Sequence, residues 1–281
     1  MFTVPDLRTE PVVLSPATMP RGEGRTILLV VAHADDPAFF LGGTILLWAG
    51  AGWRVQALRV TDDRWDSVGL DAPETVRRNA AELREAAAVL GLAGVEDLLW
   101  PTDVLGDASR VMLRERIVEA VRRVRPYGLA SFDASSALHE DNLDHKVLAE
   151  AVDEAAWTAQ FDKHHPEQGL APHGVVERWT FGRVPLAVTH VADTTSVLER
   201  HIEAVMCHRT PLANIARQLA LQARTAGVSP ALVARAEGGE PRPLVEAALR
   251  HAAARRGAPF GLAAAEWLRL RRSPVLDLAG A

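Results

Sequence analysis

A single cysteine, Cys207, is present, so no intrachain disulfide can form and no thiolate zinc cluster can be built. Long apolar runs are missing too: stretches such as residues 27–32 fall far short of the ~20 residues a membrane-spanning helix needs. Basic residues are not in excess, with 31 Lys and Arg against 36 Asp and Glu and a formal net charge of −5. That balance argues against nucleic acid and anionic membranes as partners, since clustered cations drive both kinds of binding. The first twenty residues are broken by Pro5, Pro11, Pro16 and Pro20 and have neither the basic start nor the apolar stretch of a signal peptide. A cytoplasmic protein in a reducing compartment is the expectation. Two nucleotide signatures are also missing, since no G-x-G-x-x-G follows the first strand and no G-x-x-x-x-G-K-[ST] occurs.

With 48% hydrophobic residues in 281, the chain can bury a large core. Residues 26–32 form a continuous apolar run of the kind buried on both faces of a parallel sheet. Further strands are predicted at 55–61, 95–100, 128–132, 175–181 and 186–191. Helices are predicted at 39–51, 74–90, 112–124 and 144–160, and mostly helix after Thr195. The alternation implies an α/β fold, a Rossmann-like, mostly parallel sheet flanked by helices, with a largely helical C-terminal part. We expect one domain over 1–281, made of a leader (1–24), an α/β core (25–192) and the helical part (193–281).

Ligands of open parallel sheets bind beyond the carboxyl ends of the strands. There the sequence gathers His33, Asp35 and Asp36 after the first strand and Asp133, His139, Glu140, Asp141, Asn142, Asp144 and His145 after the fourth. His33 and Asp36 lie close enough for one loop to present both to a single ion, and His145 offers a third ligand from the other loop. Three such ligands leave a fourth position for water, as catalytic zinc requires, and Asp35 is then free to act as general base. A plainer reading uses the same residues: Asp35 and Asp36 capping the next helix, and His145 on a helix surface. An Asp-rich edge also suits magnesium or a nucleotide.

Residues 32–45 (AHADDPAFFLGGTI) and 142–152 (NLDHKVLAEAV) resemble the two core motifs of the PIG-L/LmbE-like family of zinc-dependent N-acetyl-sugar deacetylases, A-H-P-D-D with a Gly-Gly pair and H-x-D-H. Weaker likenesses run from Glu82 to Gly91, at Asp193-Thr-Thr and His208-Arg-Thr, and at 264–267. The resemblance implies Zn2+ held by His33, Asp36 and His145, Asp35 as base, and Asp144 orienting its neighbours. It also implies an N-acetylated sugar or glycoside as substrate, with homo-oligomerisation left open. Ala34 replaces the family's Pro. Asn142 stands where the family has a histidine that stabilises the oxyanion or protonates the amine, and an amide cannot shuttle a proton. His139 is the candidate to take that task. Arg64 and Asp62 are candidate substrate contacts, and His208 resembles the family's pocket histidine. Phe39, Trp65 and Trp100 are candidates to stack on a sugar or to fill the core, and the core is the commoner place for such residues. The alternatives are an amidase cleaving a larger acyl or mycothiol-type conjugate, and a metal-binding relative without turnover.

Overall fold

In the computed structural model, which describes residues 10–278, eight strands form one sheet in the order β1-β7-β8-β6-β5-β2-β3-β4. The strands are β1 (Val12–Leu14), β2 (Thr26–Val31), β3 (Arg54–Thr61), β4 (Gly94–Trp100), β5 (Gly128–Phe132), β6 (Glu177–Phe181), β7 (His190–Asp193) and β8 (Ala265–Arg272). All neighbours pair in parallel except β8, which runs antiparallel to β6 and to β7. Helices α1 (Asp36–Gly50), α2 (Ala72–Leu90), α3 (Arg110–Val124) and α4 (Leu143–Thr158) connect the parallel strands. The C-terminal part adds α5 (Leu198–Met206), α6 (Arg209–Thr225), α7 (Ala231–Glu237) and α8 (Arg242–Gly257). Among the described residues no helix is long and apolar enough to cross a membrane.

Strand β2 is buried from Ile27 to Val31, which explains its unbroken apolar sequence. It lies between β3 and β5; from β2 the chain winds outward through α1 to β3, whereas from β5 it winds the other way through α4 to β6. The carboxyl ends of β2 and β5 therefore flank the point where strand order reverses, and the loops leaving them diverge to open a crevice.

Within the leader, β1 pairs with β7, and Leu14 and Met19 are buried; residues 1–9 lie outside the described residues. Two sequence expectations change. The first helix begins at Asp36 rather than Phe39. The largely helical segment after Thr195 ends in a strand, β8, whose Leu268 and Leu270 alternate with half-buried Trp267 and Arg269. That two-residue period was the available signal. Because β8 sits between β6 and β7, the C-terminal part and the core share one sheet.

Helix α1 meets the C-terminal part through Gly42 and Gly43. A Cβ on Gly42 would stand 2.4 Å from the ring of His201, and one on Gly43 would stand 2.4 Å from Thr194 Cγ2 and 2.9 Å from Glu266 Oε1. Glycine is needed here for close approach. Glu266, on β8, fills the space and accepts hydrogen bonds from Gly43 N (2.8 Å), Thr44 N (2.8 Å) and Thr44 Oγ1 (2.6 Å). Gly43→Ala should destabilise the fold by about 1–3 kcal/mol through overpacking, read by equilibrium denaturation. An unchanged midpoint would show that Thr194 and Glu266 can withdraw freely.

Candidate active site

The loop after β2 carries His33, Ala34 and Asp35 into the start of α1. Neither of its carboxylates serves as a cap. Asp35 occupies the N-cap position without a side-chain cap bond. Asp36, buried to 2% exposure, turns back so that its Oδ2 accepts from the main-chain N–H of His33 at 2.7 Å. His145, in the first turn of α4, points inward rather than to solvent. Its ring stacks on Phe132 at a centroid distance of 3.9 Å and meets Phe40 edge-on.

These placements bring three side chains from two loops together. His33 Nδ1 lies 3.1 Å from His145 Nε2, while Asp36 reaches His145 Nε2 at 3.2 Å with Oδ1 and His33 Nδ1 at 3.7 Å with Oδ2. Their ligand atoms all fall within 4.8 Å of one another, so the group could hold a metal ion. Two facing imidazole nitrogens beside a buried carboxylate form a donor set suited to a borderline divalent ion. Glu115, His165 and Glu167 form a second such group at the surface, where His165 Nδ1 faces both carboxylates.

Each imidazole is held from behind by another carboxylate. His33 Nε2 lies 3.4 Å from Asp144 Oδ2, and Asp144 also accepts from Asp103 N (2.8 Å) and Leu105 N (3.3 Å). His145 Nδ1 lies 3.3 Å from Glu140 Oε2, and Glu140 Oε1 accepts from Asn142 N and from Arg183 Nε, both at 3.0 Å. Asp63 fixes the loop itself, accepting from Ala34 N at 3.0 Å and from the buried Arg59 at 2.9 Å. Asp63 and Arg183 were not among the predicted site residues, and Glu140 was placed at this edge without a role. Arg183, two residues past β6, stands at a strand end where such residues are to be sought.

The electrostatics follow from burial and charge. Burial opposes ionisation of Asp36, but His145 and His33 outweigh it and hold the carboxyl far below its usual range. Burial likewise opposes a charged His145, yet Asp36 and Glu140 push it up to about 9. Asp35 moves the other way: burial, then the charges of Asp66 and Asp36, raise it well above an ordinary carboxylate.

A cleft of about 740 Å³ opens over this group, and its lining includes His33, Asp35, Asp36, Asn142 and His145. Asn142 is the N-cap of α4, its Oδ1 accepting from Asp144 N at 2.9 Å and His145 N at 3.4 Å. Its NH2 remains available as a donor. The other candidates lie elsewhere. His139 is exposed at the end of a 3₁₀ turn and borders a separate small cavity. Asp62 and Arg64 pair with each other at 2.9 Å and are absent from the cleft lining. His208 is fully buried at the start of α6, edge-on to Phe39, and burial lowers it to about 4. Among the aromatics, Trp65 is no core residue: it is 60% exposed at the cleft, while Trp100 packs against the core.

An α/β sheet with a buried His-His-Asp group at its switch point defines an enzyme-like domain able to hold a divalent ion. Residues 28–156 match the family described as PIG-L: GlcNAc-PI de-N-acetylase. A relative in Rhodococcus jostii (strain RHA1), named 1D-myo-inositol 2-acetamido-2-deoxy-alpha-D-glucopyranoside deacetylase, is 26% identical over 238 residues, 66% of this chain and 81% of the relative. Among solved structures, N,N'-diacetylchitobiose deacetylase from Pyrococcus horikoshii superposes with a TM-score of 0.71 at 19% identity, covering 90% of this chain and 88% of the other. The 4-carboxy-2-hydroxymuconate hydratase GalB of Pseudomonas putida KT2440 shares the fold as well, with a TM-score of 0.61 and 19% identity over 88% of this chain and 95% of its own. Fold alone therefore does not select the reaction.

Replacing Glu140 with Gln keeps the shape behind His145 but removes the charge that favours an Nδ1–H donor. Affinity for a divalent ion, titrated with zinc in competition with a chromogenic chelator, should fall about 10–100-fold. Unaltered affinity would mean that stacking on Phe132 orients the ring by itself.

Proposed function

We propose that this chain is a metal-dependent N-deacetylase that hydrolyses the acetamide of an N-acetylated amino-sugar glycoside, with zinc as its ion. The observation that carries the reading is the buried His33, Asp36 and His145 group with Asp35 beside it on the floor of one cleft. The name of the Rhodococcus relative supports the substrate class. In this proposal the chain acts as one domain in the cytoplasm.

His33, Asp36 and His145 would hold the zinc, which supplies a Lewis acid and lowers the pKa of water to about 7. Asp144 and Glu140 keep both imidazoles turned toward the ion. Asp35 forms no side-chain hydrogen bond among the described residues. It is free to take the proton from the attacking water and to return it to the departing amine. The Asn142 NH2 donates to the carbonyl oxygen as negative charge builds there. Trp65 offers an exposed ring against which a sugar face can stack. His139, Asp62, Arg64 and His208 have no part in this proposal, since none of them lines the cleft.

The test is acetate release from N-acetylglucosaminides together with metal content. Asp35→Asn should retain one zinc per chain and lose roughly 10²–10⁴-fold in turnover, whereas His33→Ala should lose the metal. Wild-type protein that binds zinc yet releases no acetate would favour a metal-binding relative without turnover. Release of a longer acyl group in preference to acetate would favour the amidase.

A further inference from the structure

Glu115, His165 and Glu167 converge away from the cleft, and none of them lines it. They meet beyond the C-terminal end of α4, whose first turn carries His145; that helix has 16 residues and is therefore ~24 Å long. Glu115 stands on α3, His165 just before a short 3₁₀ turn (Pro166–Gln168), and Glu167 within that turn. His165 Nδ1 lies 3.3 Å from Glu167 Oε1 and 3.9 Å from Glu115 Oε1, and one ligand atom of each residue falls within 4.8 Å of the others. The imidazole is largely enclosed, with Nε2 buried and without a partner, so Nδ1 is the atom it presents. Other contacts fasten the turn to α3. Gln168 Nε2 donates to Glu115 O at 3.1 Å, and the buried Arg122 of α3 donates to His165 O (3.2 Å), Phe161 O (2.8 Å) and Ala159 O (3.2 Å). The guanidinium of Arg122 is thus engaged by carbonyl oxygens rather than by Glu115 or Glu167.

Charge supplies an independent argument. Glutamates elsewhere on the surface are matched with arginine: Glu74 with Arg77 and Arg78, Glu85 with Arg209, Glu203 with Arg242 and Glu199 with Arg250. Glu115 and Glu167 have no arginine or lysine partner among the described residues, and a single imidazole faces both. Two carboxylates that converge with so little opposing charge repel each other, and a bound cation would replace that repulsion with attraction. We propose that Glu115, His165 and Glu167 form a second divalent-metal site, suited to zinc, that pins the segment after α4 to α3. One imidazole nitrogen with two carboxylate oxygens suits a borderline ion better than calcium or magnesium, which prefer oxygen ligands alone. The site has one imidazole where the cleft group has two, and Glu167, 62% exposed, must be ordered on binding. It therefore binds more weakly than the cleft group and fills when metal is in excess. Its role is outside the proposed reaction and holds whether or not the chain is a deacetylase.

Equilibrium dialysis of the full chain against excess zinc, with bound metal counted by elemental analysis, tests the site. Wild type should take up one equivalent more than His165→Asn. Asparagine is the replacement because residue 165 has a φ of 52°, a left-handed conformation that Asn adopts more readily than Ala. Glu167→Gln keeps the shape but removes a charge, and should weaken the second ion by at least about 10-fold, the smaller of the losses seen when a group behind a metal ligand is changed. His164→Ala, beside the site but outside it, should keep the second equivalent, which distinguishes the site from zinc taken up by surface histidines in general. Thermal unfolding gives a second readout. Zinc added to His33→Ala should raise Tm as the second site fills, and should fail to do so when His165→Asn is combined with it. Equal zinc uptake by wild type and His165→Asn would overturn the proposal. So would loss of the second equivalent in His164→Ala, or a zinc-dependent rise in Tm that persists in the double variant.

Discussion

A carboxylate taken out of water must find opposite charge or hydrogen-bond donors, and the arrangement of this protein's cleft depends on how Asp36 finds them. Its own loop supplies the His33 main-chain N–H, and the remaining partners, two imidazole nitrogens, come from His33 and from the first turn of α4. That second source lies over a hundred residues away in sequence and becomes available only because β2 and β5 are neighbours. The sheet order thus places Asp36 where both loops converge. The carboxylates behind the imidazoles extend the same logic, since each donates negative charge to a ring that would otherwise be buried half-paired.

The C-terminal part is tied to this centre by Glu266. Its carboxylate reaches two main-chain N–H groups inside α1, the helix that begins at Asp36, and His201 Nε2 lies 2.7 Å from Ala38 O on the same helix. A strand from the end of the chain is thereby clamped to the helix that presents the metal-ligand candidates. Only Gly42 and Gly43 allow that approach. The cleft wall on α6 and α8 consequently has a fixed relation to the floor, which a substrate-binding wall requires.

Much of the floor was legible in the sequence because it depends on local order. An apolar strand followed by His33, Asp35 and Asp36, and a second by Asn142, Asp144 and His145, placed those residues at strand ends before any contact was known. Partner choice was harder to read. Asp62 and Asp63 are adjacent and chemically alike, yet Asp62 bonds its neighbour Arg64, whereas Asp63, at positive φ, reaches the Ala34 N–H. Glu140 rather than His139 faces His145, since the backbone leaving the 3₁₀ turn exposes one and buries the other. Strand β8 was hidden by the Ala- and Arg-rich helix before it, and its Leu-Arg alternation spans too few residues to outweigh that context.

Asn142 shows how a departure from the PIG-L pattern can be accommodated. Asn is among the best N-cap residues, and here its oxygen serves the α4 N-terminus, so the helix that presents His145 is anchored by the same side chain that lends its NH2 to the cleft. In the proposed reaction an amide cannot supply the amine's proton, so another group would have to. Asp35 is pushed upward by burial and by the charges of Asp66 and Asp36, while a dication beside it would pull it back down. In the proposed reaction that carboxyl would both take the proton from water and return it to the amine.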